Sequence, residues 1–113
     1  MEYSHSLYQW VCYEKPVNLS IESIKSANDH VVDSTGWWVW PAEELLAYYI
    51  LIHNWKTSYR SVLELGAGSS GMAGICSYLK WKPGQVTITD GKLENLSSIK
   101  RTLELSKLEE SPI

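Results

Sequence analysis

The chain has 113 residues, enough for one domain, and its 44% hydrophobic and 20% charged content excludes intrinsic disorder. Ten basic against thirteen acidic side chains leave a net charge of -3, which argues against a general nucleic-acid-binding surface. Six Trp and seven Tyr with no Phe make an unusual aromatic set, suited to half-buried surfaces. From the N-terminus, Met1 to Trp10 has no basic patch followed by an apolar run, so no secretory leader is expected. Leu7 to Glu14 is rich in β-branched and aromatic residues, and Val17, Leu19 and Ile21 alternate with Asn18, Ser20 and Glu22, the period of a half-buried strand. A break at Lys15-Pro16 between them predicts an antiparallel hairpin. Ser26 to Gly36 is polar and carries turn signals, and Trp37 to Trp40 is a compact aromatic segment.

Pro41 suits the first turn of a helix, with Glu43 and Glu44 placed to favour its dipole. Leu45, Tyr48, Tyr49 and Ile52 recur at helical spacing and predict an amphipathic helix that ends near His53-Asn54. Ser61 to Leu65 reads as a short strand, the stretch after Gly71 as a helix to about Trp81, and Lys82-Pro83-Gly84 as its stop. Gln85 to Thr89 is a second strand, closing on Asp90. From about Lys92, Leu93, Leu96, Ile99 and Leu103 fall on one face of a last helix. The order strand, helix, strand, helix after residue 60 predicts two adjacent parallel strands joined by a right-handed crossover.

The chemistry concentrates in Val62-Leu63-Glu64-Leu65-Gly66-Ala67-Gly68-Ser69-Ser70-Gly71, a Gly-x-Gly-x-x-Gly loop between a strand and a helix, with Asp90 24 residues after Gly66. In such a frame Gly66 turns the chain off the strand, Gly68 lets backbone approach a ligand, and Gly71 allows close helix packing. Asp90, at the end of the next strand, can accept ribose hydroxyls. The frame fits an adenosine cofactor. A dinucleotide would set its pyrophosphate on the helix N-terminus; S-adenosylmethionine has no phosphate, and Glu64 beside the loop suits its positive charge better. The helix that precedes the first strand points the same way.

Trp40-Pro41-Ala42-Glu43-Glu44-Leu45-Leu46-Ala47-Tyr48-Tyr49, Leu63-Glu64-Leu65-Gly66-Ala67-Gly68 and Thr89-Asp90-Gly91 resemble the calmodulin-lysine N-methyltransferases. These belong to the seven-β-strand, S-adenosylmethionine-dependent protein-lysine methyltransferases. The resemblance covers residues 36–95, and the Trp-Pro-x-Glu-Glu helix is its most specific part. It implies an α/β chain: a partial Rossmann-like class I methyltransferase fold with an N-terminal β-hairpin. The N-terminal β segment would be residues 1–35, and the incomplete S-adenosylmethionine-binding unit residues 36–113. It also implies that Gly66 and Gly68 line the methionine portion of the cofactor with Glu64 beside it. Asp90 would bind the ribose, and Trp40 would border the pocket, with Trp37 and Trp38 at its mouth. Calmodulin is the implied protein substrate.

The family's adenine-holding and lysine-channel segments have no counterpart here, so no catalytic residue is nominated. The other function class to weigh is a non-catalytic truncated product that lacks the substrate channel. Two parallel strands with crossover helices would leave an open sheet edge and uncovered apolar faces, making the chain marginally stable. Cys12 and Cys76 have no metal-ligand or disulfide spacing, and His5, His30 and His53 lack partners at useful spacing. Tyr48-Tyr49 reads as helix packing and Glu109-Glu110 as a solvated helix end. The longest apolar run, Leu45 to Ile52, is far short of the roughly 20 residues of a membrane span. The expectation is therefore a chain of the cytoplasm, with the nucleus as a second compartment, that binds neither metal, membrane nor nucleic acid.

Overall fold

A computed structural model describes the backbone of residues 2–12, 15–25 and 39–113, and the side chains of residues 39–113. The polar stretch from Ser26, Trp37 and Trp38, the side chains of His5, His30 and Cys12, and the division at residue 35 lie outside the described residues. Strand β1 (Glu2–Cys12) pairs antiparallel with β2 (Lys15–Lys25), in a register that sets Glu2 opposite Lys25 and Cys12 opposite Lys15. The hairpin forms as the alternation predicts, with one correction. Pro16 stands inside β2, opposite Val11, rather than in the turn, a position tolerated near the start of a strand that has one neighbour among the described residues.

Helix α1 (Pro41–Ile52) follows, with Pro41 in its first turn; the Trp40 carbonyl accepts the N–H groups of Glu43 and Glu44. Strand β3 (Ser61–Glu64), helix α2 (Met72–Trp81), strand β4 (Gln85–Ile88) and helix α3 (Leu93–Leu105) complete the order. β3 and β4 pair in parallel, Ser61 with Gln85 through Glu64 with Ile88, as the βαβ pattern requires. The ladder continues past the strand ends: Thr89 donates its N–H and its hydroxyl to the Glu64 carbonyl, and Ala67 N–H donates to the Thr89 carbonyl. These bonds bring the loop after β3 beside Asp90. The far edge of β4 is tied to the C-terminal segment, where Val86 N–H donates to the Pro112 carbonyl at 2.9 Å. The other edge of β3 is unpaired among the described residues, with Leu63 61% and Leu65 75% exposed.

The core forms where α1 packs on α2. Ala47, Ile50 and Leu51 meet Met72, Ala73, Ile75 and Cys76, with Val39, Leu79, Trp81 and Ile88 against them. The buried face of α1 therefore differs from the one its spacing predicts: Leu45, Tyr48 and Tyr49 are exposed, Leu45 by 69%. Apolar residues surround this helix on most sides, so periodicity alone does not select the packed face. The same correction applies to α3, which buries Asn95, Ser98, Ile99 and Thr102 and exposes Leu93 and Leu96. A bond from Asn95 to Asp90 turns position 95 inward, and Ile99, one turn on, comes against the backbone of Gly71. Glu109 and Glu110 fall in the turn beyond α3 rather than on its end. Trp55 donates its indole N–H to the Ile50 carbonyl and packs edge-on against Trp81, extending the core with aromatic rings.

Gly74 sits in the first turn of α2, directly over β3 and β4. A Cβ at this position would come 2.5 Å from Glu64 Oε2 and 2.8 Å from Ile88 Cγ1. Gly74→Ala is expected to destabilise the chain by up to about 2 kcal/mol in urea unfolding, the net of about 1–3 kcal/mol of overpacking and the ~1 kcal/mol gained in helix propensity.

Candidate functional site

The carboxyl ends of β3 and β4 open into a cleft of about 900 Å³, within the range of small-molecule sites. Trp40, Glu64, Gly66, Gly68 and Asp90, the five cofactor residues named from the sequence, all line it. The loop takes the backbone those glycines permit: Gly66 and Gly68 have φ of 65° and 67°, a left-handed region that costs other residues strain. Trp40, 52% exposed, forms one wall at the start of α1.

Asp90 is held in place before any ligand arrives. Its Oδ2 accepts Gly68 N–H at 2.9 Å, and its Oδ1 accepts Lys92 N–H at 2.8 Å and the Asn95 side-chain amide at 2.9 Å. Burial pushes the Asp90 carboxyl up, but these three bonds and the nearby Lys92 charge outweigh it and hold the group below its usual range. It is therefore a carboxylate at neutral pH, with one lone pair on Oδ2 uncommitted. Asn95, only 1% exposed, is a positioning residue that sequence reading missed; its spacing from Asp90 on the following helix is the signal that could have found it.

A second omission is Glu43. Its Oε1 accepts Met72 N–H at 2.9 Å and also the Ser70 hydroxyl, so it reaches from α1 to the N-terminus of α2. Glu64 Oε2 accepts Gly74 N–H at 2.7 Å, two residues further into the same helix. The sequence supports only a dipole role for Glu43 within its own helix; nothing local shows that its partner is 29 residues away. Gly71, the residue before α2, is left-handed at φ 58° and offers no side-chain cap, so these two carboxylates supply it. Burial raises both acids. Glu64 is pushed up to about 7, against the Gly74 bond and helped by the charge of Glu43. Burial likewise lifts Glu43, opposed by its bonds to Ser70 and Met72.

The charged groups lining the cleft are Glu43, Glu64, Asp90 and Lys92. Three acids to one base suit a ligand that brings hydroxyls and positive charge. They do not suit a pyrophosphate, whose usual seat on a helix N-terminus is already taken by Glu43 and Glu64. Cys76 is buried and forms no disulfide among the described residues, and His53 stacks on Tyr49. No group of His, Cys, Asp and Glu among the described residues could hold a metal ion, and no helix among them is long and apolar enough to cross a membrane.

A folded-state pKa of about 7 for Glu64, against 4.5 ordinarily, means that the folded chain binds the more protons between those values. The stability this group contributes is therefore full below about pH 4.5 and declines as pH rises through 7, by on the order of 3 kcal/mol. Thermal melts from pH 5 to 8 should show the decline in the wild type and a shallower slope in Glu64→Gln.

The family model described as "Lysine methyltransferase" matches residues 20–112. A calmodulin-lysine N-methyltransferase from Arabidopsis thaliana is 28% identical over 113 residues, covering 87% of this chain and 37% of that protein's length.

Proposed function

Since the chain belongs to the lysine methyltransferase family, we propose that it carries the cofactor-binding part of an S-adenosylmethionine-dependent protein-lysine N-methyltransferase that acts on calmodulin. The observation that carries the cofactor reading is the cap of α2. Half-buried carboxylates from α1 and β3 occupy the helix end where a dinucleotide would place its phosphates. The parallel β3–β4 pair with its crossover helix supports a Rossmann-like class I arrangement over 36–113, preceded by a β segment over 1–35. The acceptor rests on the Arabidopsis relative's name and on the matching Trp40–Tyr49 segment. The chain spans 37% of that relative's length, so the walls that would hold a lysine belong to the proposal.

When bound, S-adenosylmethionine supplies an electrophilic methyl group on a positively charged sulfur. This chain's residues bind and orient. Asp90, pinned by Gly68, Lys92 and Asn95, accepts from the ribose through its remaining lone pair. The turn at Gly66 and Gly68 lets main chain approach the methionine portion, and Trp40 closes one side of the cleft. Glu64 presents a carboxylate whose charged form a cationic ligand favours. The remaining requirement for transfer is placement of a neutral amine in line with the methyl group, and positioning of that kind accounts for much of such a rate enhancement.

Calorimetric titration with S-adenosylmethionine and with NAD tests the reading. Binding of the first and not the second is expected, and Asp90→Ala should weaken it by about 1–3 kcal/mol, roughly five- to 150-fold. Preference for NAD would refute the cofactor. Methyl transfer to calmodulin, followed with labelled donor, tests the acceptor. Cofactor binding without transfer would favour the non-catalytic short form.

A further inference from the structure

The loop from Gly66 to Gly71 is anchored at two ends by different parts of the chain. Its front is tied to the end of β4: Gly68 N–H donates to Asp90 and Ala67 N–H to the Thr89 carbonyl. Its rear is tied to α1. One oxygen of Glu43 receives both the Ser70 hydroxyl and Met72 N–H, and Ser70 Oγ lies 3.3 Å from Met72 N as well. Ser69 and Ser70 are fully buried, so the rear of the loop is fixed inside the molecule. Glu43 also lies in the turn whose N–H groups bond to the Trp40 carbonyl, and Trp40 lines the same cleft.

We infer that Glu43 is a positioning residue for the glycine loop: through Ser70 and Met72 it holds the loop and the Trp40 wall at a set separation. Its consequence for binding rests on the cofactor reading above; its consequence for the loop does not. Because a single oxygen makes both bonds, a glutamine can keep them with its amide oxygen and lose only the charge and the second oxygen. Alanine loses both bonds. The pair of variants thus separates holding the loop from presenting charge to a ligand.

The test is residue-resolved amide hydrogen exchange on the ligand-free chain, together with the dissociation constant for S-adenosylhomocysteine. In Glu43→Ala, exchange from Gly68 to Met72 should accelerate at least tenfold while Ile50, Leu51, Ile75 and Cys76 stay within about twofold. Affinity should fall at least fivefold. Glu43→Gln should restore both within about twofold. Acceleration spread equally through α1 and α2, or a glutamine variant that behaves like alanine, would overturn the inference. If the wild type fails to bind S-adenosylhomocysteine, the cofactor reading falls, while the exchange pattern still decides the positioning role. Should Glu43→Ala not fold, Ser70→Ala removes one of the two bonds: faster exchange confined to the loop is expected, and unchanged exchange there overturns the inference.

Discussion

A helix that begins at a glycine has no side chain at that position to receive its first N–H groups. In this chain α2 begins that way at Gly71, and the acceptors come from Glu43 on α1 and Glu64 on β3. Three elements meet at one helix end, and the glycine loop is the strand of chain running between them. Two carboxylates withdrawn from water are unfavourable in themselves, which is why both hold their protons more tightly than exposed acids do. The helix dipole and the N–H bonds offset part of that cost. The arrangement ties the packing of α1 on α2 to the shape of the cleft, so core and site are not separable in this molecule.

The elements whose identity depends on near neighbours were legible in the sequence. The β3–loop–α2–β4 order, the hairpin, and the gathering of Gly66, Gly68 and Asp90 at one cleft with Glu64 beside them follow from local patterns of period and turn residues, while Trp40 was placed there by the family resemblance. The faces of the helices were not legible. In α1, Leu45 and Tyr48 have the same spacing and apolar character as Ala47 and Ile50, so spacing alone does not say which pair packs on α2. In α3, a polar residue, Asn95, occupies the inner face because Asp90 offers it a partner. Glu43 stayed hidden for the same reason: its partners are fixed by the fold rather than by its neighbours in the chain.

The cleft combines a rigid end with a titratable wall. Asp90 has little freedom left, since three donors hold it in a fully ionised state. Glu64 is close to half-protonated near neutral pH, so its charge responds to whatever lies beside it. On the cofactor reading proposed above, one acid would read the shape of the ligand through fixed lone pairs and the other its charge. The Asn95 carbonyl oxygen, buried without a hydrogen-bond partner, is the unfavourable side of keeping its amide on Asp90.

Gly74 and Glu64 share one small volume between α2 and the sheet, and the carboxylate reaches the helix only because the facing residue has no side chain. Their sizes are thus bound together across generations as well as within the molecule. A descendant sequence that gains an alanine at position 74 would be expected to shorten its acid at 64 to aspartate or abandon it. A lineage that keeps glutamate there would keep the glycine. Among homologous chains the two positions should vary as a pair although ten residues separate them.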